Sequence, residues 1–200
     1  MNNITFKQYR NIDLCIFALL LTVSEAVTTV ATNSWFAAQP VAISTTLTFI
    51  CIMMMRWGSF GAIHAVIGGI VFCIASGASA EQFLIYAGGN LLGVLSVLLF
   101  KVFTKEAIRK SCAKLILFTS CTYLLIQLGR WIISLFFGGG LWNIVGLLAS
   151  DIISLLFATV IMLLLRNVDG MIEDQKAYLF RQQREKEEER RQSTGYGSDE

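Results

Sequence analysis

Hydrophobic positions in this chain come in six long, almost unbroken blocks, separated by short polar or glycine-containing breaks. About 20 apolar residues at 1.5 Å rise cross the hydrocarbon core of a bilayer, so blocks of this length predict membrane-spanning helices. They place spans at about Asp13–Asn33, Val41–Met55, Gly58–Ser76, Gln82–Phe103, Lys114–Phe137 and Leu141–Arg166. Pro40 suits the first turn of the second helix, and Gly138-Gly139-Gly140 separates the fifth from the sixth. The pattern changes abruptly at about Asn167. Residues 167–192 read as a charged cytoplasmic helix continuing from the sixth span, with mixed-sign pairs such as Arg181–Glu185. Residues 193–200 read as a disordered tail. The expected fold is an all-α polytopic membrane domain over residues 1–166 with a helical C-terminal extension.

Charge adds an orientation to these helices. Fifteen of the sixteen lysines and arginines fall before helix 1, in the 2–3 and 4–5 connections or after helix 6; the last, Arg130, lies inside helix 5. The 1–2, 3–4 and 5–6 connections hold none. Positive residues stay on the cytoplasmic side, so six spans with both termini cytoplasmic are expected, in a multi-pass protein of the plasma membrane. Trp35, Trp57 and Trp142 fall at span ends, the interfacial depth that suits indole rings. Composition agrees: 55% of residues are hydrophobic, 15% are charged and mean hydropathy is +0.63. Soluble domains carry about 25% charged residues.

Against this background, polar residues inside the spans stand out. Glu25, Arg130 and Asp151 each fall roughly 10–15 Å below the outer surface at 1.5 Å per residue. A charge facing lipid there costs about 2.5–3.5 kcal/mol on insertion scales, so these side chains are expected to face one another or a wet cavity. Polar rows accompany them: Gln82, Tyr86 and Asn90 on helix 4, Tyr123, Gln127, Arg130 and Ser134 on helix 5, and Asn143, Ser150, Asp151 and Ser154 on helix 6. Helix 1 carries Ser24, Glu25, Thr28, Thr29 and Asn33. The inner half holds little beyond His64, expected to be packed and hydrogen-bonded. Three readings fit: a pocket open to the outside, a structural Arg130–Asp151 pair with Glu25 protonated, or a proton or ion relay. Asp151 is the expected partner of Arg130, leaving Glu25 to meet a ligand or hold a proton.

No Ser/His/Asp set, HExxH motif or phosphate-cradling glycine loop is present, and the five cysteines show neither CxxC nor metal-ligand spacing. An enzyme, a cofactor, a metal and a nucleic-acid partner are all unexpected. Small residues repeat every four positions at Gly61, Ala65 and Gly69 and at Gly89 and Gly93, which marks close helix contacts.

Length, helix number and the outward polar face, with Met55-Arg56-Trp57-Gly58-Ser59-Phe60-Gly61-Ala62 and Gly68-Gly69, resemble the substrate-binding (S) component of energy-coupling-factor vitamin transporters. The resemblance spans about Leu14–Leu165. It implies a membrane-embedded protein that binds a small polar micronutrient and hands it to a transmembrane coupling subunit and two ATPase subunits. Mapped onto this chain, it implies a pocket of Asn90, Gln127, Arg130, Asn143 and Asp151, with Trp35 and Phe36 in its lid. Glu25 joins the candidate ligand-binding set from its own depth. The family's small-residue docking contact on helix 1 is represented only by Ala18 and Thr22. The alternative is a structural or scaffolding membrane protein that recruits a cytoplasmic partner through its C-terminal helix. Membrane lipids surround the chain in either case.

Overall fold

The structure, a computed structural model, describes residues 5–36 and 41–195. Pro40 and positions 196–200 of the expected tail lie outside the described residues. The described chain is helical, with no strands. Its helices are α1 (Phe6–Trp35), α2 (Thr46–Trp57), α3 (Gly61–Ser76), α4 (Ala80–Lys101), α5 (Lys105–Lys110), α6 (Cys112–Phe136), α7 (Asn143–Ser150), α8 (Ile152–Leu165) and α9 (Gln175–Gly195). Four continuous helical stretches, Phe6–Trp35, Thr46–Ser76, Ala80–Lys101 and Cys112–Phe136, are long and apolar enough to cross a membrane. The α7–α8 pair makes a fifth if its 43° bend is one span.

The second stretch turns back on itself. Gly58 takes φ +65°, which a side chain rarely tolerates, and Gly58–Phe60 forms a single 3₁₀ turn. Beyond it α3 returns along α2: Gly61 packs on Met54 and Ile50, and Gly68 on Thr46. At 12 residues α2 is about 18 Å long, too short to cross a bilayer unaided. Every side chain from Ile50 to Arg56 is buried, so this short helix forms the centre of the bundle. It begins five residues later than its hydrophobicity suggests, because 41–45 is not helical.

The longest helix is inside-out. On α1 the apolar Ile12, Ile16, Leu19, Val23, Val27 and Val30 face outward, while Glu25, Thr29 and Thr32 are buried with Leu14, Phe17 and Leu21. An apolar exterior over a partly polar interior is what hydrocarbon solvent selects. α4 changes winding along its length, from one α turn through a π turn at Leu84–Gly88 to a 3₁₀ segment at Leu91–Lys101. The small-residue repeats lie at its contacts: Gly69 touches Ala87, and Gly89 and Gly129 bring the α4 and α6 backbones together.

The sixth expected span differs from the sequence pattern. It breaks at Asp151, and it ends at Leu165 rather than running on into the charged segment. Residues 167–174 instead fold under the end of the bundle that carries the chain's first helical turn. Arg56 donates to the carbonyls of Gly170 (2.6 Å) and Met171 (2.9 Å), and both its Nε and its Nη2 reach the Asp13 carboxylate. Ile172 is fully buried, and Gln175 bonds to the Gly170 carbonyl and to the Tyr9 hydroxyl. Lys105 pairs with Asp174 at 2.7 Å, and Glu173 receives both Arg109 and Arg181. Arg181 therefore reaches back to Glu173 rather than forward to Glu185. Burial raises the Asp174 carboxyl's pKa, but the Lys105 ammonium and the N–H groups of Ala177 and Lys176 outweigh it and hold the group below its ordinary value. Every side chain described between Gln183 and Glu189 is exposed.

Candidate functional site

The expected polar row on α6 is real and faces inward. Tyr123, Gln127, Arg130 and Ser134 recur at helical spacing and are all buried. Arg130 lies six residues, about 9 Å, from the end of α6. Its Nη1 donates to Asp151 Oδ2 at 2.9 Å and its Nε to Asn90 Oδ1 at 3.0 Å. Gln127 Nε2 donates to the same Asp151 oxygen at 2.8 Å, and the Ser154 hydroxyl bonds the other one. The ion pair is more than nine-tenths buried on both sides. Asn90 extends the network to α3 by donating to the Ala65 carbonyl at 3.1 Å. Beneath the guanidinium lies the Tyr86 ring, 4.6 Å from Cζ.

Backbone geometry makes room for this. A Cβ on Gly89 would lie 2.6 Å from the Arg130 Cα, so only glycine lets α4 approach closely enough for Asn90, the next residue, to reach Nε. The π turn places Tyr86 one turn before it, and such bulges recur at functional sites. Asp151 sits in the bend between α7 and α8, where Ser150 leaves its carbonyl free to accept the Ala42 N–H at 2.8 Å. Ser44 N donates to the Ser154 hydroxyl at 2.8 Å. The non-helical 41–45 segment and the broken helix thus satisfy each other's backbone groups, as a low-dielectric setting requires.

Glu25 belongs to a different node. Its Oε2 accepts from Thr45 N (2.7 Å), Thr45 Oγ1 (2.8 Å) and Thr46 N (2.9 Å). The carboxyl of α1 therefore caps the N-terminus of α2, whose own N-cap residue, Thr45, makes no side-chain capping bond to the helix. A carboxylate is well placed there, since a helix N-terminus carries about half a positive charge. The signal in the sequence was the Ser44-Thr45-Thr46 run, which marks a helix start better than Pro40 does.

Between these nodes a cavity of about 290 Å³ opens near the Trp35 end of α1, lined by Thr29, Thr32, Asn33, Val41–Ile43, Phe72, Tyr86 and Ser150. Phe72 and Tyr86 pack ring to ring at 4.7 Å. Four of the seven candidate residues, Asn90, Gln127, Arg130 and Asp151, are brought into one cluster. It lies behind the cavity, joined to it through Tyr86 and Ser150. Glu25 lies one helical turn from the cavity-lining Thr29. Asn143 and Trp35 are exposed and touch neither node. His64 is fully buried as expected, but neither ring nitrogen has a hydrogen-bond partner among the described residues.

No known protein family, curated protein or solved structure matches this chain.

The Arg130 network has satisfied both Asp151 oxygens with donors from within the bundle, which suits it to holding α3, α4, α6 and the α7–α8 bend in register. The cavity offers hydroxyls, one amide and two aromatic rings, a set that binds through hydrogen bonds and ring contact rather than through charge.

Proposed function

We propose that this chain is a six-span membrane protein with both termini in the cytoplasm, binding a small, uncharged polar solute in the cavity at its outer end. The observation that carries this reading is the cavity itself, at about 290 Å³ just under the roughly 300–1,000 Å³ typical of small-molecule sites, and walled by Thr32, Asn33, Phe72, Tyr86 and Ser150. Six spans follow if the α2–α3 hairpin crosses twice, with the non-helical residues 41–45 completing the short α2 arm. The basic asymmetry then puts the cavity outside. The Arg130 cluster is the rigid back of the pocket, positioning Tyr86 rather than meeting the solute. The resemblance to energy-coupling-factor S components extends the proposal: the solute is a micronutrient, passed on to a transmembrane coupling subunit with its ATPases.

Two measurements test this. Purification in detergent followed by mass spectrometry should find a small solute at near-stoichiometric amount. Asn33→Ala with Ser150→Ala should lower its occupancy at least tenfold, the equivalent of about two lost hydrogen bonds, with the melting temperature unchanged. Retention of the solute by that variant overturns the cavity as its site. Single-cysteine labelling tests the orientation: an impermeant reagent on intact cells should reach Ser34→Cys and not Glu106→Cys, and the reverse result inverts the topology.

The scaffolding reading retains one observation in its favour, the exposed charged stretch Gln183–Glu189 of α9. If it is correct, removing that stretch abolishes partner recruitment and leaves solute occupancy at background in both forms.

A further inference from the structure

The Glu25 carboxylate is satisfied on one oxygen only. Oε2 takes all three donors at the start of α2, whereas Oε1 is buried and has no hydrogen-bond partner among the described residues. Two other buried hydroxyls share that condition, Thr29 Oγ1 and Thr46 Oγ1. Thr29 lies one turn along the same buried face of α1, and the Ser44, Thr45 and Thr46 side chains all approach the carboxylate. Glu25, Thr29 and Thr46 are each at least 98% buried. Unpaired buried oxygens are rare, because each forfeits about 1–3 kcal/mol of solvation in water.

Charge narrows what joins them. Three donors meet on Oε2 at the N-terminus of α2, yet among the described residues no lysine, arginine or histidine bonds to the carboxyl. About half an elementary charge comes from the helix end, so an ionised Glu25 would leave net negative charge buried in the bundle unless a cation joins it. Arg130 is already committed to Asp151. A proton on Oε1 supplies a single donor and would not bring all three oxygens together. An ion coordinated by several oxygens at once does. Hard carboxylate and hydroxyl oxygens select small hard cations, and one carboxylate beside a helix N-terminus matches a single positive charge rather than two. Thr29 also lines the cavity, which gives such an ion a polar route to Glu25.

We propose that Glu25, Thr29 and Thr46 form a binding site for one small monovalent cation of the sodium type, entered through the outer cavity. The site links α1 to the start of α2, so occupancy tightens the junction that also shapes the cavity wall at 41–45. It stands apart from the solute reading and is tested with sodium alone.

The full-length protein in detergent is melted at constant ionic strength while sodium chloride replaces choline chloride. Saturable stabilisation is expected, about 3–6 °C at ten times the half-saturating concentration, and potassium should be weaker by tenfold or more in half-saturation. Thr29→Val keeps the shape, removes one ligand oxygen and should shift half-saturation upward at least tenfold without lowering the melting temperature in choline. Glu25→Gln should abolish the sodium response, and since it also weakens the α2 cap, Thr29→Val is the deciding variant. An unchanged melting temperature across the exchange, or a response that Thr29→Val leaves intact, overturns the proposal. Stabilisation by acid in choline with none by sodium assigns a proton to Glu25 and overturns it equally.

Discussion

Two buried arginines, Arg56 and Arg130, sit at opposite ends of the same bundle, each paired with one aspartate and nearly equally buried. They differ in what else accepts their protons. Arg130 is met by side chains, Asn90 of α4, Gln127 of α6 and Asp151 of the α7–α8 bend. Arg56 is met by Asp13 and by two backbone carbonyls of a loop, Gly170 and Met171. A carbonyl cannot be lost by substitution and stays polar whatever happens to the partner acid. The first arrangement specifies the packing of helices against each other. The second clamps a segment beyond the last span onto the bundle, with the Trp57 indole also donating to Asp13.

Arg130→Met breaks this comparison most sharply. It leaves Asp151 buried with no counter-charge, at a cost of about 3–5 kcal/mol, readable as a large fall in thermal stability in detergent. Adding Asp151→Leu should recover most of that loss, because the network is satisfied internally and an apolar pair of similar volume suits the site. Failure of the double variant to recover would mean that Asn90 and Gln127, left unpaired, carry more of the penalty than the charges do.

Asp13→Ala should cost less, about 1–3 kcal/mol, because Arg56 keeps both carbonyls and lies near the end of the bundle. Its clearer signature is local: limited proteolysis should release the segment after Leu165 sooner than in the parent. A loss as large as that of Arg130→Met would erase the distinction between side-chain and backbone acceptors.

The smallest effect belongs to truncation after Arg181, expected within about 0.5 kcal/mol of the parent. Removing everything after Asn167 should instead be costly, since it takes Ile172, Gln175 and the Arg56 carbonyls with it. The same segment should respond to acid. The Asp174 carboxyl is lowered in the folded protein, so its contribution is complete above the ordinary aspartate value of about 3.9 and disappears as pH falls through the lowered value. Protease sensitivity of the tail between pH 5 and pH 2.5 reads this, and Lys105→Met should shift its onset upward.

These contrasts also show what a sequence can reveal of such a molecule. α1, α4 and α6 are visible in the hydrophobic blocks, since length and apolarity act along one axis. The Arg130–Asp151 partnership was visible too, because depth in the membrane leaves a buried charge few partners. Azimuth was not visible. Glu25 shares their depth, yet it faces the start of α2, and only the packing of α1 on the α2–α3 hairpin decides that. The bend at Asp151 has no proline or glycine to announce it; it exists because Ala42 and Ser44, over a hundred residues earlier, take the freed backbone and hydroxyl groups. The turn at 167–174 was hidden for a similar reason: its carbonyls are held by Arg56, and carbonyls leave no mark in a sequence.

The capping of α2 by Glu25 also has a consequence for biogenesis. Translation delivers α1 before the donors of Thr45 and Thr46, which lie twenty residues further on. At about 5–20 residues per second, the acid waits roughly one to four seconds for them. During that interval α1 carries an unsatisfied carboxyl at a depth where lipid exposure is costly. Releasing α1 into lipid alone therefore costs more than releasing it together with the hairpin that completes it.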